Sequence, residues 1–139
     1  MQGLKELREL TKDLKILYVE DDLSLGKTTV EYLNKLFSLV VYATNGLEGL
    51  EAYKSQEFDL VITDLSMPKM KGLEMLEKIK LINENQLTLI TTAHSESQCL
   101  IDAFKVEIDG YIIKPFDFVQ LNRELLKIAK KFQELKIRD

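Results

Sequence analysis

One cysteine, one histidine and no long apolar run set the outer limits for this 139-residue chain. Cys99 has no second cysteine to pair with, so no disulfide forms within the chain, and a reducing cytoplasm is the expected compartment. His94 is the one other nitrogen or sulfur ligand, too few for a zinc site, so Cys99 reads as a small residue on a helix face. No stretch approaches the ~18 apolar residues of a membrane span, and Met1-Gln2-Gly3-Leu4-Lys5-Glu6 lacks the apolar centre of a signal peptide. A soluble, non-exported protein without a membrane partner is expected. Positive charge is not in excess either. A net charge of −4 and a pI near 5.2 argue against a broad phosphate-neutralising face and so against direct nucleic-acid binding. Repeats, low-complexity tracts and internal linkers are missing from the sequence.

What is present is an alternation of short β-branched runs with amphipathic segments, the pattern of repeated βα units around a parallel sheet. The length fits one domain, long enough to bury roughly two-thirds of its unfolded surface. Strands are predicted at 14–19, 39–43, 58–63, 87–92 and 110–113, and helices at about 23–37, 46–55, 72–84, 96–105 and 117–135. Asp22 or Ser24 is placed to cap the first of these helices and Asp117 the last. The last helix carries an apolar stripe of Phe118, Leu121, Leu125, Ile128, Ala129, Phe132 and Leu135, while Lys130-Lys131 reads as part of its solvated face. Residues 1–13 form an N-terminal helical extension, 14–135 the main domain and 136–139 a tail. In the extension Leu4, Leu7 and Leu10 recur at helical spacing, either as a short helix packed on the domain or as a homodimer seam.

The chemistry gathers where strands end. Phe58-Asp59-Leu60-Val61-Ile62-Thr63 runs into Asp64 and then into a Pro- and Gly-containing loop, which places Asp64 at the C-terminal edge of the sheet. Three further strands deliver Glu20-Asp21-Asp22, Thr92-Ala93 and Lys114-Pro115 to the same edge. Three carboxylates held close repel one another and favour a bound cation or a shared proton, and all-oxygen ligands suit Mg²⁺, with Mn²⁺ as a substitute. A carboxylate attacking phosphorus forms an acyl phosphate, a reaction that needs the charge on the transferring oxygens neutralised. Mg²⁺ on Asp21 and Asp64, the Lys114 ammonium and the Thr92 hydroxyl are the parts it requires. Lys114 precedes Pro115, where a cis peptide is affordable. Met67 and Phe116 read as anchors filling gaps beside the loops, and Gly72 as a point of backbone freedom.

With these motifs in order, the chain resembles a response-regulator receiver domain of bacterial two-component signalling over about residues 14–130. The resemblance implies a doubly wound, flavodoxin-like α/β fold with a five-stranded parallel sheet of order 2-1-3-4-5. It makes Asp64 the phosphoacceptor, Asp21 the main metal carboxylate, Glu20 an acid acting through water and the Ser66 carbonyl a further metal ligand. Thr92 and Lys114 become the phosphate-sensing pair, Tyr111 the aromatic that follows Thr92, and Ser66 and His94 the residues that tune phosphoryl lifetime. The implied partners are a sensor histidine kinase or phosphotransfer protein and a downstream output protein or domain. The output acts through the face of the predicted helix 96–105, strand 110–113 and helix 117–135. Such a domain catalyses its own phosphorylation and dephosphorylation and turns over no separate metabolite.

Departures from the family pattern are local. Glu107-Ile108 stands where Gly-Ala is common, so a left-handed cap there falls to a non-Gly residue. Glu124 replaces an Arg used in one dimer mode, and Leu87 replaces a Pro that often begins the fourth strand. Two competing readings fit less well. A phosphatase of the haloacid dehalogenase type needs an acid two residues after the nucleophile, where Ser66 stands. A non-phosphorylated interaction module of the same fold generally loses an acid, the Thr or the Lys, and all are present here.

Overall fold

The computed structural model describes residues 2–65, 67, 69–93 and 97–138. Its elements are, in order, α1 (Gln2–Thr11), β1 (Lys15–Val19), α2 (Leu23–Leu33), β2 (Leu39–Ala43), α3 (Gly46–Ser55) and β3 (Leu60–Asp64). Then follow α4 (Gly72–Ile82), β4 (Leu87–Ala93), α5 (Ser97–Phe104), β5 (Gly110–Lys114) and α6 (Phe118–Arg138). All strand pairs are parallel, in the order β2-β1-β3-β4-β5.

The sheet is covered on both faces, which is why β3 is buried at every position and β1 at all but Lys15. On one face Ile16, Tyr18, Ile62 and Leu89 pack with Leu33 of α2, with Leu121, Leu125 and Ile128 of α6, and with Leu7 of α1. On the other, Leu17, Val19, Val61 and Ile90 pack with α3, α4 and Ala103 of α5. Of the N-terminal leucines, Leu7 therefore joins the core and Leu4 packs against it. Leu7 is buried, and the Thr11 hydroxyl reaches the carbonyls of Leu7 at 2.9 Å and Leu36 at 2.8 Å, tying α1 to the connection between α2 and β2.

Several boundaries differ from the sequence reading for identifiable reasons. Asp59 precedes β3 instead of lying in it: its carboxylate accepts the Lys15 N–H at 2.8 Å, and its own N–H donates to the Lys15 carbonyl at 2.8 Å. Asp109 does the same to Thr88 before β5, at 2.8 and 2.9 Å. Asp64 is consequently the last residue of β3, in register with Thr91. Helix α2 stops at Leu33, where tighter turns carry Leu36 and Phe37 beneath the sheet. Asp22 caps α2 through Leu25 N–H at 3.1 Å. Asp117 and Gln120 cap α6 reciprocally at 2.9 Å each, and α6 continues through Arg138. Lys131 pairs with Asp109 and Lys130 with Glu6, so these lysines belong to a solvated helix face. Glu107 does adopt the left-handed conformation expected of it, at φ 59. Cys99 lies within α5, with its side chain outside the described residues.

Candidate functional site

The crevice beyond the C-terminal ends of β1, β3 and β5 holds the polar residues that the sequence sends there. Glu20 follows β1 and is fully buried, with 0% exposure. Asp64, ending β3, is nearly so at 5%. Asp21 is exposed. One carboxylate oxygen from each of the three lies within 4.8 Å of the others.

Lys114, the last residue of β5, reaches between two of these acids. Its Nζ lies 2.8 Å from Asp64 Oδ2 and 2.7 Å from Glu20 Oε1. Both contacts are short and charge-assisted, so the one ammonium serves two buried carboxylates. The other Glu20 oxygen accepts the Asp22 N–H at 3.1 Å. Burial pushes the Glu20 carboxyl up to about 7, and Asp64 adds to the rise, against the opposing pull of Lys114 and the Asp22 N–H. Burial alone would lower the Lys114 ammonium, but its hydrogen bond to Asp64 and its contact with Glu20 outweigh that and raise it.

This donor set fits a small hard cation. Among the described residues three carboxylates converge, two of them buried, and exposed Asp21 opens the cluster to solvent. Thr92 is buried near the end of β4, its hydroxyl 3.4 Å from the Ala93 carbonyl, and Ala93 is in register with Lys114. Tyr111 of β5 is exposed and meets Phe104 of α5 edge-on, with ring centroids 5.8 Å apart. Ser66 and His94 lie outside the described residues. The peptide bond between Lys114 and Pro115 is cis.

Two features of the loop after Asp64 depart from the expectation. Gly72 does not use its conformational freedom, since no described glycine has a positive φ. It is needed for close approach: a Cβ there would lie 1.9 Å from the Asp64 carbonyl oxygen, and the Gly72 N–H donates to the Leu65 carbonyl at 2.8 Å. Among the described residues of this loop, Lys69 adopts a left-handed conformation, at φ 68. Met67 is buried in the core on the α3–α4 face, and Phe116 packs against the core on the opposite face, each filling a gap beside its loop. The sequence reading also passed over Tyr42, whose hydroxyl donates to the Glu20 carbonyl at 2.8 Å. An aromatic beside an acidic strand end in the next strand is the signal that was available.

The chain is similar to known proteins in both sequence and fold. The profile of the response regulator receiver domain matches residues 16–126. The chain is 34% identical over 125 residues to the chemotaxis protein CheY-3 of Vibrio cholerae, spanning 88% of this chain and 96% of that protein. It is 32% identical over 122 residues to sporulation initiation phosphotransferase F of Bacillus subtilis, spanning 88% and 95%. Among solved structures, a response regulator receiver domain protein from Clostridium thermocellum superposes with a TM-score of 0.78 at 27% identity, covering 88% of this chain and 98% of that one.

Proposed function

The chain belongs to the response regulator receiver family, and we propose on that basis that it is a phosphorylation switch whose phosphoacceptor is Asp64. A histidine kinase or phosphotransfer protein supplies the group: the P–N bond of its phosphohistidine breaks as an Asp64 oxygen forms the new P–O bond, giving an acyl phosphate. Bound Mg²⁺ would supply charge neutralisation at the phosphoryl oxygens. Asp21 and Asp64 would hold it directly, together with the Ser66 carbonyl, and Glu20 through water. Lys114 neutralises a second oxygen and Thr92 donates to a third. Ser66 and His94 would tune how long the phosphoryl group persists. The chemistry is confined to the domain's own phosphorylation and dephosphorylation.

The observation that carries this reading is the meeting of Lys114 with Asp64 and Glu20 at the sheet edge. Lys114 is already within bonding distance of the carboxylate to be modified, so a phosphoryl group arriving on Asp64 offers it a new partner. Such a shift is transmissible. Thr92 would follow the phosphoryl group, and Tyr111 would turn from its place against Phe104 toward the space vacated. The face of α5, β5 and α6 carries exposed Ile101, Phe104, Tyr111 and Val119, an apolar set suited to a protein partner whose affinity the switch would change. A cytoplasmic setting accords with the single cysteine, and among the described residues no helix is long and apolar enough to cross a membrane.

Acetyl phosphate in place of the kinase tests the reading. With Mg²⁺ the chain gains one phosphoryl group, labile to hydroxylamine as an acyl phosphate must be, and EDTA prevents it. A chain that stays unlabelled favours the non-phosphorylated interaction module, and a label that resists hydroxylamine contradicts an acyl phosphate on Asp64.

A further inference from the structure

We propose that the Tyr42 hydroxyl is a positioning group for the cation site, clamping the backbone at Glu20 so that Glu20 and Asp21 present their carboxylates to Mg²⁺. The proposal rests on the switch reading above. Tyr42 lies in β2, one residue before Ala43, whose carbonyl accepts the Glu20 N–H at 3.0 Å. The Tyr42 hydroxyl donates to the Glu20 carbonyl at 2.8 Å. Both backbone polar groups of Glu20 are thereby bonded to the end of β2, and the residue is held on each side of its side chain.

Gly26, in the first turn of α2, makes room for that hydroxyl. A Cβ at position 26 would lie 2.0 Å from the Tyr42 oxygen and 2.5 Å from the ring carbon that bears it. Glycine is a poorer helix former than alanine, so its place here calls for a reason. The φ of Gly26 is not positive, so its backbone conformation does not call for glycine; the Tyr42 hydroxyl does. The ring is steadied in turn by Tyr18, fully buried, which stacks on it at 5.7 Å with 23° between the planes.

A clamp of this kind matters because Mg²⁺ demands near-ideal octahedral geometry and tolerates little displacement of its ligands. Asp21 is exposed, so its carboxylate is placed by the backbone on either side of it: Glu20 before it, and Asp22, the N-cap of α2, after it. Repulsion among Glu20, Asp21 and Asp64 pushes that segment outward. The Tyr42 hydrogen bond opposes the push at the nearest backbone group.

Tyr42→Phe keeps the stacked ring and removes only the hydroxyl, which makes it the primary test. Mg²⁺ is titrated calorimetrically into the full chain, and acetyl phosphate labelling is followed against Mg²⁺ concentration. The Kd for Mg²⁺ should rise about 3- to 10-fold, the equivalent of one neutral hydrogen bond. Labelling should slow at subsaturating Mg²⁺ and recover at saturation. Gly26→Ala, whose Cβ takes the hydroxyl's place, should do the same, and the double variant should bind no more weakly than Gly26→Ala alone. Tyr53→Phe is the control: it deletes a buried hydroxyl that donates to Gln86 at 2.7 Å, near the opposite edge of the sheet. It should lower the melting temperature and leave Mg²⁺ binding alone. A Kd for Tyr42→Phe within twofold of wild type overturns the clamp while labelled wild type upholds the switch, and equal weakening by Tyr53→Phe overturns it as well. Should Gly26→Ala not fold, Tyr42→Phe decides by itself. Wild type that neither binds Mg²⁺ nor labels removes the switch reading and the clamp together.

Discussion

Lys114 does two jobs that a substitution separates. In the metal-free protein it is the cation that neutralises buried Glu20 and Asp64; in the proposed switch it would face the phosphoryl group. Lys114→Ala should therefore still bind Mg²⁺, because the lysine holds no metal ligand position. In EDTA at pH 8 it should lose about 1–3 kcal/mol of stability, since an uncompensated buried carboxylate remains at Glu20. Mg²⁺ should restore most of that loss. Thermal melting with EDTA and with Mg²⁺ measures both effects, and collapse of Mg²⁺ binding would show that Lys114 organises the metal site itself. Residues such as Asp64, Glu20 and Lys114 were legible in the sequence because each ends an apolar run, where strand polarity alone sends them to one edge. Tyr42 left only a faint mark, an aromatic near the end of the next strand, because its contact crosses between strands and depends on a missing side chain at Gly26.

Among the elements, the junctions hold most of what the sequence concealed. The strand at 14–19 and the helix at 46–55 could be read almost to the residue from periodicity. Phe58 and Asp59, by contrast, look like strand, yet Asp59 spends its carboxylate on the Lys15 N–H and β3 starts one residue later. Glu107 was legible as a cap, and it adopts φ 59, a conformation that costs an ordinary residue about 1–2 kcal/mol. Glu107→Gly should stabilise the domain by about 0.5–1 kcal/mol, the rest being offset by the greater freedom of glycine in the unfolded chain. A lowered melting temperature would mean that the Glu107 side chain contributes more than its backbone costs. Gly72 was misread, because closeness of packing leaves no mark in a sequence that turn chemistry does not also leave. Gly72→Ala would put a methyl group 1.9 Å from the Asp64 carbonyl oxygen, so it should cost about 1–3 kcal/mol in denaturant melts and slow labelling of Asp64. A variant as stable and as readily labelled as wild type would contradict the close approach.

For the domain as a folded unit, Glu20 sets the pH dependence. Its folded carboxyl titrates near 7, above the usual 4.5, so the folded form binds this proton more tightly than the unfolded one. The stabilising contribution is complete below the unfolded value and is lost as pH rises through about 7. In EDTA the melting temperature should therefore climb by about 3 to 5 °C, on the order of 1 kcal/mol, between pH 8 and pH 5.5. Further acidification should reverse the trend as other carboxylates protonate. Millimolar Mg²⁺ should raise stability at pH 8 and flatten the dependence, because it binds the folded, ionised cluster. A melting temperature insensitive to both pH and Mg²⁺ would mean that Glu20, Asp21 and Asp64 do not act as one cluster. The claim on which all of this converges is that Asp64 is the atom-level target of phosphoryl transfer. The most direct measurement labels wild type and Asp64→Asn with acetyl phosphate and Mg²⁺, reduces the acyl phosphate with borohydride and maps the product by mass spectrometry. The predicted result is modification of Asp64 in wild type and none in a folded Asp64→Asn; modification of Asp21, or of any Ser or Thr, in either protein would contradict it.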